Sequence, residues 1–154
     1  MHNALIGSDL RAKGIPEPWN YGLSDIVRFY ELDALNHVNN VVYLKWFETT
    51  RVRYVMDYGI SDFSHGPNTP TLVVRALSAE FHAPMHQNDA YIVTARTARV
   101  GRTSFQMEYT VFAPEIRVTG ACTVVVLTPD STSTMPLSDK MRQTFIDCDG
   151  ATSA

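Results

Sequence analysis

The segment DALNHVNNVVYLKWFETTRVRYVMDYG, residues 33–59, decides the fold because it joins a polar cluster to a long apolar stretch. Aromatic residues recur along it near helical spacing, at Tyr43, Phe47, Tyr54 and Tyr58. An asparagine at position 39 or 40 suits a helix N-cap, and Gly59 suits a C-terminal stop. We therefore predict a helix from about residue 40 to about residue 57, roughly 27 Å long, with most of its circumference buried.

Strand-like runs lie on both sides of this helix. Residues 24–33 precede it, and four further runs follow the loop at 63–70, namely 71–82, 90–100, 104–112 and 117–128. The connections between these runs are short, as in antiparallel sheets. A terminal helix is expected over 136–146, with Ser138 as its cap. The pattern predicts an α+β fold in which a five- to six-stranded antiparallel sheet wraps around one long central helix.

The chain of 154 residues has the length of one domain. We predict an irregular N-terminal lead-in over residues 1–23, because this segment contains Gly14, Pro16 and Pro18. We predict a single domain over 24–148 and a C-terminal tail over 149–154.

Composition excludes several classes of function. Hydrophobic residues make up 45% and charged residues 19% of the chain, which are globular values. The net charge of −3 offers no basic stripe for nucleic acid. The most apolar long segment, 41–58, carries five charged residues, so we expect no membrane span. We expect a soluble, cytoplasmic protein. No metal site is assigned, because His65, His82 and His86 lack metal-ligand spacing. Two cysteines are too few for a disulfide framework.

The polar cluster before the helix permits two interpretations. The first backbone N–H groups of a helix have no intrahelical acceptor and can stabilise a carbonyl oxygen that gains negative charge. A carboxylate at Asp33 beside them suits hydrolysis of a reactive acyl group such as a thioester, and the chain contains no GxSxG or HExxH motif. Asp, Asn and His are equally ordinary capping and turn residues. The residues alone leave both interpretations open.

A family resemblance favours the first interpretation. Residues 27–51, VRFYELDALNHVNNVVYLKWFETTR, resemble the strand-to-helix signature of the hotdog-fold thioesterases, in the 4-hydroxybenzoyl-CoA and long-chain acyl-CoA thioesterase group. Weaker similarity extends over most of 24–128. The resemblance implies a hotdog fold and hydrolysis of an acyl-CoA thioester to a free acid and CoA. It also implies homodimers, in some members paired into homotetramers, with active sites at the subunit interface. No cofactor is expected, since coenzyme A is part of the substrate.

The resemblance assigns roles by position. Asp33 matches the acidic residue that acts as nucleophile or general base, and the Asn40 backbone N–H matches the group that polarises the carbonyl. His37, as a support, and Asn39 belong to the HVNN variant shared with long-chain acyl-CoA and plant acyl-carrier-protein thioesterases. Leu35 stands where the plant enzymes carry Asn, which puts a plant-type Asp–Asn–His arrangement in doubt.

Substrate-binding residues are expected in two places. Tyr43 and Trp46 could line an acyl pocket, although helical aromatics also serve as core. Arginines are candidate partners for the phosphates of coenzyme A, and the resemblance favours the turn RVGRTSF with Arg99, Arg102 and Thr103. Glu48 and Arg51 match the family's E..R pattern and are interpreted as a structural ion pair or loop anchor.

Three rival functions use the same residues differently. The first is a thioesterase that acts on acyl-carrier-protein substrates. The second is a non-catalytic hotdog protein that binds acyl-CoA, against which Asp33 argues. A hotdog dehydratase is disfavoured because no matching His–Asp hydration motif is present. The identity of the acyl group stays open.

Overall fold

The computed structural model describes residues 3–154. In this part of the chain three α-helices and seven strands follow one another. They are β1 (Leu5–Ile6), α1 (Ser8–Ala12), β2 (Tyr21–Ile26), α2 (Asn40–Asp57), β3 (Thr71–Phe81), β4 (Ala90–Val100), β5 (Ser104–Phe112), β6 (Ile116–Leu127), α3 (Asp139–Asp149) and β7 (Thr152–Ser153). A short 3-10 helix, Phe29–Glu31, lies between β2 and α2.

The strands form one sheet in the order β1-β2-β4-β5-β6-β3. All neighbours in this order are antiparallel, and β7 adds to β4 in parallel. Alternate residues of β5, Phe105, Met107, Tyr109 and Val111, are buried. They lie on the core face of the sheet, where Tyr109 stacks on Phe47 of α2 and Phe105 contacts Phe145 of α3.

Helix α2 is buried along much of its length. Its buried residues are Tyr43, Trp46, Phe47, Thr50, Tyr54 and Val55. The Phe47 ring stacks on Tyr109, with ring centroids 4.7 Å apart, and the Trp46 ring stacks on Tyr91 at 4.0 Å. These contacts join the helix to the two central strands β4 and β5.

The predicted architecture is confirmed. The structure has a long helix at residues 40–57 and a sheet whose five longer strands include the four runs predicted after it. Asn39 is the N-cap, Gly59 adopts a positive φ of 71°, and Ser138 caps α3. The strand count rises to seven through the two-residue strands β1 and β7.

The strand predicted over 24–33 is wrong at both ends. The strand β2 runs from Tyr21 to Ile26, and the chain then forms the 3-10 helix. The Arg28 backbone N–H donates to Glu31 Oε1 at 2.9 Å, and this capping contact favours a turn over an extended strand. Asp33 therefore follows a turn and does not end a strand.

The chain ends are more ordered than the predicted lead-in and tail. The segment predicted as irregular over 1–23 contains β1, α1 and the first residues of β2 in its described part. The 149–154 tail begins inside the core, because the Asp149 carboxylate is buried and accepts hydrogen bonds from Tyr54, Tyr58 and the Thr97 N–H. Burial raises the pKa of Asp149. Nothing in the sequence of residues 149–154 predicted that Asp149 would be buried and would anchor the end of the chain.

No helix within residues 3–154 combines the length and the apolar character needed to cross a bilayer.

Gly120 of β6 sets how closely α2 approaches the sheet. A Cβ at this position would lie 2.5 Å from Phe47 Cε2 and 3.0 Å from the Ser78 carbonyl oxygen. We expect Gly120→Ala to lower the free energy of unfolding by roughly 1–3 kcal/mol, because overpacking forces the helix away from β6. Urea denaturation measures this change.

Gly66→Ala is the matched control. Its Cβ would meet nothing closer than 3.7 Å, so its free energy of unfolding should stay within about 0.5 kcal/mol of the native value. Equal stability of the two variants would contradict the close approach at Gly120.

Candidate functional site

A turn over residues 33–38 leads into α2, and Glu31 ties this turn to the helix. The Glu31 Oε2 accepts a hydrogen bond from Trp46 Nε1 at 2.8 Å. The Glu31 carbonyl accepts from the Asn39 N–H at 2.9 Å. Leu32 and Val38 form an isolated antiparallel bridge. The chain before the helix is thereby fixed relative to the helix itself.

Asp33 is half-buried and held by its own turn. Its Oδ1 accepts from the Leu35 N–H at 2.8 Å and from the His37 N–H at 3.3 Å. The Asp33 N–H donates to the His37 carbonyl at 2.8 Å. Asn36 closes the turn with a positive φ of 61°, which Asn tolerates better than most residues. Within residues 3–154, Oδ2 accepts no hydrogen bond, so one oxygen of the carboxylate is fixed and the other is available.

The first turn of α2 leaves one backbone donor unused. Asn39 accepts from the Val41 N–H through its side chain at 3.1 Å and from the Val42 N–H through its carbonyl at 2.8 Å. The Asn40 N–H has no acceptor among the described residues. Because the N-terminus of a helix carries partial positive charge, this N–H favours an oxygen that gains negative charge.

Asp33, His37, Asn40 and Tyr43 line one cavity of about 320 Å³. Its other walls are Leu35, Val38, Phe81, His82, Ala83 and Pro84. The structure thus brings four of the residues predicted from sequence around one space. The residue that carries the free carboxylate oxygen and the residue whose N–H has no acceptor both line this cavity.

Tyr43 contributes an uncharged phenol to the cavity. Burial raises the pKa of Tyr43 to about 12, so its hydroxyl stays protonated at neutral pH. The Tyr43 ring contacts Phe81 with centroids 5.7 Å apart. His37 packs edge-on against His86, with ring centroids 5.0 Å apart. The cavity that Asp33 and Asn40 line is therefore also lined by the aromatic rings of Tyr43, Phe81 and His37.

Trp46 and Asn39 lie outside the cavity lining. The Trp46 indole is buried between Tyr91 and Tyr43 and donates to Glu31, so it supports the turn from within the core. The Asn39 side chain is engaged as the helix cap. Both residues stabilise the site in this structure without lining it.

Arg99, Arg102 and Thr103 lie at the far end of the sheet from Asp33. The turn between β4 and β5 contains Arg102 and Thr103, whereas Asp33 lies near the other end of β4, where Val27 donates to the Asp89 carbonyl. Arg99 lines a depression together with Gln106 and Thr123. Within one chain these three residues do not join the cavity.

Glu48 and Arg51 form no ion pair with each other in the described chain. Arg51 donates instead to the Tyr109 hydroxyl at 3.2 Å. The proposed helix ion pair is therefore not formed within one chain, and both residues line a separate groove.

Phe81, His82 and Pro84 were not predicted as cavity walls. They lie at the end of β3 and directly after it, about 50 residues after Asp33, and only the fold brings them close. His82 Nε2 lies 2.9 Å from the Thr119 hydroxyl, which holds the ring at the edge of the site. Among residues 3–154 no group of three or more His, Cys, Asp or Glu side chains could hold a metal ion.

Comparisons with known proteins place this site in context. A family model described as the thioesterase superfamily matches residues 35–119. A crystal structure of a thioesterase superfamily protein from Jannaschia sp. CCS1 is 36% identical, covers 99% of this chain and 98% of its own, and superposes with a TM-score of 0.92. A thioesterase from Thermus thermophilus, crystallised with coenzyme A and Zn, is 29% identical over 88% of this chain and 98% of its own, with a TM-score of 0.75.

A curated relative is similar over a shorter region. The chloroplastic acyl-acyl carrier protein thioesterase of Arabidopsis thaliana is 27% identical over 86 residues, which is 56% of this chain. The chain spans 45% of the length of that relative.

The two neighbouring asparagines at the start of α2 should differ in their contribution to stability. The Asn39 side chain caps the helix, whereas the exposed Asn40 side chain makes no hydrogen bond within the described residues. We expect Asn39→Ala to cost about 1 kcal/mol of unfolding free energy. Asn40→Ala should stay within about 0.5 kcal/mol of the native protein. Urea denaturation of both variants tests the assignment, and an equal loss in both would contradict it.

Proposed function

Because the chain belongs to the thioesterase superfamily, a family of thioester hydrolases, we propose that it hydrolyses an acyl-CoA thioester to a free acid and CoA. One observation carries the proposal. The Asp33 carboxylate, with Oδ2 available, lines the same cavity as Asn40, whose N–H has no acceptor in residues 3–154. A reactive acyl group needs an attacking or water-activating carboxylate and a donor for its carbonyl oxygen.

In the proposed reaction the Asn40 N–H donates to the thioester carbonyl oxygen as negative charge develops on it. Asp33 then acts in one of two ways. As a nucleophile, Oδ2 attacks the carbonyl carbon, the C–S bond breaks, the CoA thiolate leaves and takes up a proton, and water hydrolyses the resulting anhydride. As a general base, Asp33 accepts a proton from the water that attacks the carbonyl carbon directly. His37 supports the turn that holds Asp33.

Coenzyme A is proposed as the carrier of the acyl group. The coenzyme A complex of the Thermus thermophilus protein supports this choice. The reaction requires no cofactor besides the CoA of the substrate, and we place it in the cytoplasm. Tyr43 is the proposed wall for the acyl group because it lines the cavity beside Asp33.

A carrier-protein thioester is the second candidate substrate. Similarity to the Arabidopsis acyl-acyl carrier protein thioesterase supports it. Comparing kcat/KM for one acyl group on CoA and on acyl carrier protein separates the two substrates.

A homodimer is the proposed form of the enzyme. Strand β3 pairs only with β6 in the described chain and leaves an edge of 11 residues unpaired. Its apolar side chains Val73, Val74, Leu77 and Phe81 are 37% to 46% exposed. A long, apolar edge strand is rarely left open in a native protein. Antiparallel pairing of β3 with its copy would cover this edge, and two such dimers could assemble into a tetramer.

The dimer would also explain the position of the three residues at the far end of the sheet. Antiparallel pairing about the middle of β3 places the Thr71 end of one strand beside the Phe81 end of the other. The turn with Arg102 and Thr103 lies at the Thr71 end, since the Thr103 carbonyl accepts from the Val126 N–H and Leu127 pairs with Thr71. This turn and Arg99 are proposed to bind CoA phosphates at the neighbouring subunit's cavity.

Asp33→Asn tests the mechanism. The amide oxygen can still accept from the Leu35 and His37 N–H groups, so the turn should fold, but the side chain can neither attack nor accept a proton. We expect kcat to fall at least about 100-fold on every acyl-CoA that the native protein hydrolyses. Asp62→Asn, in an exposed loop, is the control and should keep native kcat.

Retention of native kcat by Asp33→Asn would refute the role of Asp33. A single turnover in ¹⁸O-labelled water, combined with trapping by hydroxylamine, separates the two mechanisms. Recovery of ¹⁸O in the Asp33 carboxylate, or trapping of an acyl group or an Asp33 hydroxamate from an anhydride, indicates nucleophilic attack. Recovery of ¹⁸O in the released acid alone, with no trapped anhydride, indicates a general base.

Leu77→Lys tests the edge. Leu77 is 42% exposed in the single chain, so lysine should be tolerated in the monomer, but in the dimer it would place a charge at the paired edge. We expect a native dimer and a largely monomeric variant at micromolar concentration, measured by light scattering after size-exclusion chromatography. A native monomer, or an undiminished dimer of the variant, would rule out assembly through β3.

A further inference from the structure

A second groove lies between α2 and β3, and we call it the α2–β3 groove. It has a volume of about 340 Å³. It is lined by Glu48, Arg51, Val52, Val55, Phe63, Leu72, Val73, Val74 and Val124. Among these residues only Glu48 and Arg51 are charged. The groove is thus an apolar surface that carries one anion and one cation.

Arg51 makes one hydrogen bond in the described chain. Its side chain is half-buried, and its single hydrogen bond to residues 3–154 goes from Nη1 to the Tyr109 hydroxyl. That hydroxyl also lies 3.1 Å from Cys122 Sγ. A guanidinium offers five N–H donors, and a charge in an apolar surrounding is costly without a charged partner. The remaining Arg51 donors are open to solvent and are available to an anion placed in the groove.

Glu48 does not supply that anion within the chain. Glu48 and Arg51 have the i, i+3 spacing at which helix ion pairs form, yet their charged atoms are not within 4.0 Å, and the exposed Glu48 carboxylate accepts no hydrogen bond from the described residues. Both charges therefore lie on one groove and attract each other without forming a close ion pair.

We propose that the α2–β3 groove is closed by the same groove of a second copy. Glu48 of each subunit then forms an ion pair with Arg51 of the partner subunit, and two equivalent pairs hold the two α2 helices side by side. This inference rests on the dimer proposed above, and it assigns the residues that fix the position of one helix against the other.

The location of the two charges fits a twofold axis. The cavity near Asp33 is lined by Asn40 and Phe81, and the α2–β3 groove is lined by Arg51 and Leu72. Helix α2 and strand β3 thus run alongside each other, with their middles adjacent. Glu48 lies at the middle of α2, so a twofold axis through the middle of β3 brings the two helix centres together.

The composition of the groove favours a second copy over a different partner. A twofold interface uses the same surface on both subunits, so each charge must find its opposite on that same surface. An anion and a cation three residues apart meet this requirement. The exposed apolar residues of β3 continue the surface, as expected for the centre of an interface with few charges.

Charge reversal tests the ion pair. Glu48→Arg and Arg51→Glu each place like charges opposite one another twice in the dimer. We expect each single variant to raise the dimer dissociation constant at least about tenfold. The double variant Glu48→Arg/Arg51→Glu exchanges the charges and restores attraction, so its dissociation constant should return to within about threefold of the native value. Sedimentation equilibrium measures all four proteins.

Lys45→Glu is the control, because this exposed lysine of α2 undergoes a charge reversal outside the α2–β3 groove. Its dissociation constant should match the native value. The ion pair is refuted by single variants with native dissociation constants, or by a double variant that dimerises no better than the weaker single variant. If sedimentation shows that the native protein is a monomer, both the proposed dimer and this inference are refuted. Hydrolysis of acyl-CoA is measured separately, so failure of the ion pair leaves the proposed reaction standing.

Discussion

The packing of α2 against the sheet is the interaction on which the rest of the structure depends. An amphipathic antiparallel sheet needs a partner for its apolar face, and this helix supplies most of it. Phe47 can lie on Tyr109 because Gly120 offers no side chain at the point of contact. The helix begins at the exposed residues Asn39 and Asn40, and its first N–H groups have no acceptor within the helix. The residues just before the helix supply acceptors for most of them.

The candidate site is formed by the two hydrogen-bonding groups that the turn before α2 leaves without a partner in the described chain. Asn39 satisfies the Val41 and Val42 N–H groups, and Glu31 accepts from the Asn39 N–H, while the Asn40 N–H has no acceptor among the described residues. Asp33 is likewise only partly engaged, because Oδ1 accepts hydrogen bonds from its own turn and Oδ2 accepts none within residues 3–154. The same local folding that stabilises the helix start thus provides a donor and a carboxylate for the proposed chemistry.

The sequence was most informative where one signal dominated. Helical spacing of aromatic residues and the alternation in 104–112 predicted α2 and β5 with nearly correct ends. The prediction from sequence failed at residues 27–33, where the hydrogen bond from the Arg28 N–H to Glu31 favours a turn and β2 ends at Ile26. The C-terminal residues looked like a tail because the burial of Asp149 depends on Tyr54 and Thr97, far away in sequence. The local pattern drew attention to Asp33 and Asn40 and the family resemblance assigned their roles, whereas Phe81 and His82 required the sheet.

The hydrogen bonds that orient Asp33 and the start of α2 are formed almost entirely among residues 28–46. The segment is tied to the rest of the fold by the Val38 N–H, which donates to the Met85 carbonyl, and by the Trp46 ring, which stacks on Tyr91. Among the strands only Phe81, at the end of β3, joins the cavity lining, together with His82, Ala83 and Pro84 after it. Substitutions at these four positions would reshape one part of the cavity wall, while the carboxylate and the amide keep their relative positions.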